Sequence, residues 1–240
     1  MLWPASSLGD FGLEATDGGI GAIRDALFDD RHWTVRWFVA DTGTWLPGRK
    51  VLLAAGQVEA SAGDPPRLRL PLTREEVRAS PPLEPEAPVS RQHEAALNRH
   101  FGSPDYCVGV ERPSQPMPPA VRDLEGAGGQ MDPHLRSTGE TTGYHVGASD
   151  GAVGQIEDFL LDPDGWVVRY LVVGTGGWWM GRQVLLVPGA VASVNWGERS
   201  AHATLTREQI RNGPEYDPSR TVDRAFEERY FGYYGYPVYW

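Results

Sequence analysis

The chain is 240 residues long, 22% charged and 40% hydrophobic, with a formal charge of -10. It can bury a core in one large domain or two small ones, which excludes global disorder. Its acidic balance argues against a nucleic-acid partner, because such binding draws most of its affinity from basic surface on phosphate.

Cys107 is the only cysteine, so no disulfide can form within the chain and a cytoplasmic location is natural. The opening stretch MLWPASSLGDFGLEATDGG has no basic leader region and no long apolar run, so no signal peptide is expected. No segment approaches the ~20 apolar residues of a spanning helix. Glycine and proline number 29 and 20, which favours short strands and frequent turns.

In chain order, Ile20 to Phe28 leads into the Asp-rich turn DDRH. HWTVRWFVA follows and alternates as a strand, with Trp33, Val35, Trp37 and Val39 on one face and Thr34, Arg36 and Phe38 on the other. The loop from Asp41 to Trp45 precedes the short apolar strand RKVLLAA. Thr73 and Glu76 in LTREEV then have the spacing of a capping box, which starts a short helix. A Pro-rich insert, SPPLEPEAPV, separates it from a second helix, VSRQHEAALNRHF.

The chain then repeats itself. Asp17 to Val58 set over Asp150 to Val191 gives 21 identities in 42 positions without a gap, at a constant offset of 133. The offset holds upstream, where Phe11 and Leu13 meet Tyr144 and Val146, and downstream, where LTREEV meets LTREQI with Thr206 and Gln209 as the second capping box. After a three-residue slip the tails also match, Phe101-Gly102 with Phe231-Gly232 and Tyr106 with Tyr236. The expected organisation is therefore a repeat over 2–110, a Pro/Gly-rich linker over 111–133, and a second repeat over 134–240. RTVDRAFEERYF is its second helix, with Ala225 and Phe226 on the buried face. Short strands at close spacing followed by helices predict a mainly β protein of two tandem small antiparallel barrels, each with short C-terminal helices. A barrel of ~60 residues is marginal alone, so the helices and tails are expected to add apolar cover.

ATDGGIGAIRDALFDDRHWTVRWFVADTGTWLPGRKVLL resembles the PRC-barrel family, and the second copy, from STGETTGYHVGASDGAVGQIEDFLLD to GRQVLLVP, resembles it more fully. The Asp-Gly turn, the following Asp, the Trp-Val-Val-Arg strand and the Gly-Arg-x-Val-Leu-Leu strand occur in order, twice. The family includes the cytoplasmic domain of the photosynthetic reaction-centre H subunit and the C-terminal domain of a bacterial ribosome maturation factor. The resemblance implies six-stranded antiparallel barrels that dock to other macromolecules, and it implies no catalytic residue. The expected function is a non-enzymatic interaction or adaptor module with a protein partner, compatible with self-association. The alternative is an accessory of photosynthetic electron transfer, held peripherally at a membrane through a partner; the H subunit's membrane helix is absent here.

Asp41 opens Asp-Thr-Gly, the triplet that carries the catalytic carboxylate in aspartic proteases. Such an enzyme needs two carboxylates sharing a proton, and the column opposite Asp41 holds Gly174. A hairpin turn is the favoured reading, with Trp45 and Trp178 capping the barrel mouth; a homodimer pairing two copies of Asp41 is what keeps a hydrolase open. Asp25 with Arg36 and Asp158 with Arg169 are read as strand-to-strand ion pairs that fix register. His32, His93, His100, His134, His145 and His202 lack metal-ligand spacing, and no Gly-rich phosphate loop precedes a helix, so no metal or other cofactor is expected. The candidate interaction surface is aromatic: Trp45, Trp178, Trp179, Tyr233, Tyr234, Tyr236, Tyr239 and Trp240. For the tail YFGYYGYPVYW, packing on its own or the sister barrel is favoured over docking.

Overall fold

A computed structural model describes residues 1–43, 45–46, 49–61, 66–80, 134–176, 181–238 and 240. The Pro-rich insert, the first copy's second helix and tail, the linker, His93, His100, Cys107, Trp178, Trp179 and Tyr239 lie outside these residues.

The described chain is mainly β. The first half runs β1 (Trp3–Pro4), a 3-10 turn (Ala5–Asp10), β2 (Gly12–Ala15), β3 (Gly18–Asp29), β4 (Thr34–Asp41), β5 (Lys50–Ala54), β6 (Glu59–Ser61), β7 (Arg67–Arg69) and helix α1 (Arg74–Arg78). The second half runs β8 (Leu135–Ser137), α2 (Thr138–Thr141), β9 (His145–Ala148), β10 (Gly151–Asp162), β11 (Val167–Gly174), β12 (Gln183–Leu186), β13 (Val191–Asn195), β14 (Ser200–Ala203), α3 (Arg207–Asn212), β15 (Glu215–Tyr216) and α4 (Arg224–Tyr234).

Both capping boxes form. Thr73 accepts from the Glu76 N–H at 3.3 Å and Thr206 from the Gln209 N–H at 3.2 Å, and each N3 side chain reaches back to the cap N–H. The Asp-Gly turns are held by the same helices: Asp17 accepts from Arg74 N at 2.8 Å and Asp150 from Arg207 N at 2.7 Å.

The two closed barrels read from the sequence are not what the hydrogen bonding gives among the described residues. In each half, six strands follow in one line, β6-β7-β2-β3-β4-β5 and β13-β14-β9-β10-β11-β12, and no ladder joins the first strand to the last. The chain leaves β5 and β12 through 3-10 corners, Ala55–Gln57 and Pro188–Ala190; the second carries a proline, which has no N–H to donate to a ladder. β2 pairs with β7, and β9 with β14, in parallel; the other neighbours are antiparallel.

The halves also fuse. β4 meets β11 at Thr34 opposite Val167, joining both lines into one fifteen-stranded sheet. Around this point Val35 N donates to Trp166 O at 2.8 Å and Val168 N to Trp33 O at 2.7 Å. Each half sends its opening arm to the other: β1 pairs with β10, and β8 with β3. One apolar core therefore draws on both halves, with Phe28 against Phe159 at 5.3 Å and Trp166 edge-on to Phe38 at 4.8 Å.

The alternation expected for HWTVRWFVA breaks at Arg36. Leu27 faces Trp37 and Phe28 faces Val35, so Arg36 is the extra residue of a bulge, as Arg169 is in the second half. Trp33 does not lie in the strand; it turns into it with φ 53°, and Trp166 does the same at φ 53°. A left-handed tryptophan is strained and is kept only where surrounding packing over-determines it.

α4 starts at Asp223, which accepts from Phe226 N at 2.7 Å, and stops at left-handed Gly235. Its buried face is Glu227, Tyr230 and Phe231; Phe226 is half-buried and Ala225 is exposed, which corrects the expected face. Tyr230 and Phe231, with Phe226 packed against them, form a second, smaller cluster with Leu160, Tyr170, Val172 and Leu185 of β10, β11 and β12.

Candidate functional site

Three places hold the residues that the sequence singles out. The first is the loop after β4. Asp41 accepts a hydrogen bond from Gly43 N at 2.9 Å, the geometry of an Asx turn, and faces Arg24 at 3.5 Å, both side chains being well exposed. Next to it, Thr42 is buried and its single hydroxyl proton is shared between Leu46 O at 2.7 Å and Arg49 O at 2.9 Å; Thr175 donates to Arg182 O at 2.8 Å in the second half. The loop geometry thus rests on a threonine that both copies share, while its acid, Asp41, is replaced by Gly174 in the other. Trp45 is half-buried under its own helix, with the Arg74 guanidinium 4.8 Å and that of Arg78 5.8 Å from its ring.

The second place is the seam. The register sets Asp25 opposite Val39 and Asp158 opposite Val172, away from the bulged arginines. The ion pairs at those arginines join Arg36 to Asp29 at 3.6 Å and Arg169 to Asp162 at 2.8 Å. Asp25 and Asp158 instead clamp the exchanged arms, which corrects the expected strand-to-strand pairing. Asp158 accepts from Ser6 N at 3.1 Å and Ser6 Oγ at 2.5 Å. Asp25 accepts from Ser137 Oγ at 2.5 Å, Thr138 Oγ1 at 3.0 Å and Gly139 N at 3.0 Å. Glu140, one residue further along α2, has its pKa raised by burial, with Arg199 opposing and Asp25 adding to the rise.

Asp29 organises the turn that leads into Trp33. Burial alone would raise its pKa, but a hydrogen bond to His32, backbone N–H groups of Arg31 and His32 and the nearby charge hold it down at about 2. The same contact raises the His32 pKa against the opposing effect of burial. Asp30 accepts from Arg136 Nε at 2.8 Å and pairs with His134 at 2.8 Å, a further tie from the first half to the arm of the second. Among the described residues, no group of three or more His, Cys, Asp or Glu side chains is placed to hold a metal ion.

The third place is the C-terminal end. Tyr230 is fully buried: its hydroxyl donates to Leu185 O at 2.9 Å and accepts from Val187 N at 3.2 Å, completing the outer edge of β12 beyond the two residues that β15 pairs. Tyr170 donates to the buried carboxylate of Glu227 at 3.2 Å. Burial pushes the Tyr230 phenol well above its ordinary pKa and raises those of Tyr234 and Tyr236 as well. Tyr234 and Tyr236 are half-buried and stacked at 5.6 Å. Tyr233 and Trp240 remain 44% and 45% exposed, and Arg224 stacks on Trp240 at 3.8 Å. The tail thus divides, packing along one side and presenting aromatic surface on the other. Trp196, exposed in the β13–β14 turn with Arg136 over its ring at 5.4 Å, is an aromatic that sequence reasoning did not pick out.

No described helix is long and apolar enough to cross a membrane. Compared with models of known protein families and with curated proteins, the chain has no match.

Proposed function

We propose that the protein is a non-catalytic protein-interaction module built from two PRC-barrel-like repeats. The observation that carries this reading is a division of labour. Acids and threonines present in both copies (Asp25 and Asp158, Asp29 and Asp162, Thr42 and Thr175) are engaged in holding arms, turns and hairpins. Tyr233 and Trp240 keep 44% and 45% of their surface exposed. Such side chains offer large contact area at low conformational cost, which suits docking. Six strands per half, β2–β7 and β9–β14, match the number that the family resemblance implies. Asp41, the one candidate for hydrolysis, spends its carboxylate on the Gly43 turn and on Arg24.

The test is capture from a lysate of the source cells on immobilised protein. The wild type should retain a protein that the Tyr233→Ala/Trp240→Ala double variant does not retain, and Asp41→Asn should leave retention unchanged. Equal retention by the double variant would place docking elsewhere. A hydrolytic turnover that disappears in Asp41→Asn would replace this reading with an enzyme.

A further inference from the structure

The two halves meet through a surface that each presents to the other in the same form. β1 lies on β10 with Trp3 opposite Leu161 and Pro4 opposite Leu160; β8 lies on β3 with Arg136 opposite Phe28 and Ser137 opposite Leu27. Adding the repeat offset of 133 to the first residue of a β1–β10 pair and subtracting it from the second gives the matching β8–β3 pair. The same holds for the clamps: Ser6 N donates to Asp158 at 3.1 Å, and Gly139 N, at the matching position, donates to Asp25 at 3.0 Å. It holds again at the bridge, where Thr34 faces its own counterpart Val167 and so marks a pseudo-twofold axis. A surface in which residue i meets j while j meets i is isologous, the arrangement of a twofold homodimer.

Neither half buries this surface by itself. Trp166 of the second half donates its indole N–H to Val58 O of the first at 2.8 Å and packs edge-on to Trp3 at 6.0 Å. Ala26 N of the first half is reached by Thr138 Oγ1 of the second at 3.3 Å in a buried setting. Without the sister half, Val58 O would lose its indole donor and the apolar core around Phe28 and Phe159 would meet water, while Ala26 N would keep only its bond to Asp25 Oδ1 at 2.8 Å.

We infer that the seam is a self-sufficient docking interface whose occupant is a second copy of the same repeat. In this chain the sister repeat fills it, and covalent linkage raises the local concentration of that occupant. This inference does not depend on the interaction-module reading.

The test uses the folded full-length protein with a protease site inserted in 111–133 and then cut. The cut protein should elute and sediment as the uncut one does, with an unchanged near-UV circular dichroism spectrum. Its unfolding midpoint should become dependent on protein concentration, as expected of a noncovalent complex. Replacing Asp25 and Asp158 by Ala should raise the dissociation constant of the cut complex by about ten-fold or more per carboxylate, since each accepts charge-assisted hydrogen bonds. Ser6→Ala, a milder change at an exposed hydroxyl, should raise it less while leaving the uncut fold intact. Cut halves that separate under native conditions with their spectra retained would overturn the inference. So would a dissociation constant that none of these variants changes.

Discussion

The seam and the C-terminal end use similar materials to different ends. Both are rich in aromatics, and both contain buried carboxyl or hydroxyl groups with well-placed partners. At the seam, the backbone pairings recur at the repeat offset and are reciprocal, as with the Trp33 and Trp166 backbones, each at φ 53°. At the C-terminal end, the second half carries Tyr230 on the β12 edge and keeps Tyr233 and Trp240 nearly half exposed. Reciprocity is what a shared core demands of both copies. An exposed ring contributes little to folding, so such positions are free to be shaped by something outside the fold.

The largest expected effect that separates these regions is at Trp166. Trp166→Ala should lower stability by about 3–5 kcal/mol in urea denaturation, from the cavity left by a buried ring, and Val58 O would also lose its donor. A loss below about 1 kcal/mol would mean that the seam relaxes around the gap and is not tightly packed.

Acid should act next, and again at the seam. The folded pKa of Asp29, about 2, lies below its ordinary 3.8. The folded state therefore binds fewer protons than the unfolded one as this group titrates. The stability it contributes is full above roughly pH 5 and fades as pH falls towards about 2, amounting to about 2 kcal/mol. Asp29→Asn should flatten the acid limb of a stability–pH curve; an unaltered limb would remove the turn from the account. His32 has the opposite sign, because its folded pKa is raised. Its contribution is present below its unfolded pKa and lost as pH rises through the folded value, and it is small because the ring is well exposed.

The smallest effect belongs to the tail. Tyr233→Ser and Trp240→Ser should each change the thermal midpoint by no more than a surface substitution does, within about 0.5 kcal/mol. A loss as large as that of Trp166→Ala would make these rings part of the core and dissolve the contrast between the two regions.

The duplication, both capping boxes, the long strands and the C-terminal helix are legible in the sequence, because each depends on side chains with a fixed spacing. The exchange of arms is not. Residues 3–10, WPASSLGD, and 136–143, RSTGETTG, share no identity at the repeat offset. What they share is a backbone N–H aimed at an aspartate, from Ser6 in one and Gly139 in the other, and a backbone donor leaves no mark on residue type. Asp25 and Arg36 look like partners under strict alternation; the bulge at Arg36 shifts the register and gives the arginine to Asp29. The buried Glu227 departs from the expected apolar face of its helix because Tyr170 supplies it with a donor. Thr42 and Thr175 do leave a mark in the sequence: they are identical in both copies and sit where a hairpin must close.

Calorimetry of the intact chain tests the fused fold most directly. One cooperative transition, with calorimetric and van't Hoff enthalpies equal, is the expected result for halves that share a core and trade arms. Two separable transitions, each carrying about half of the heat, would contradict it.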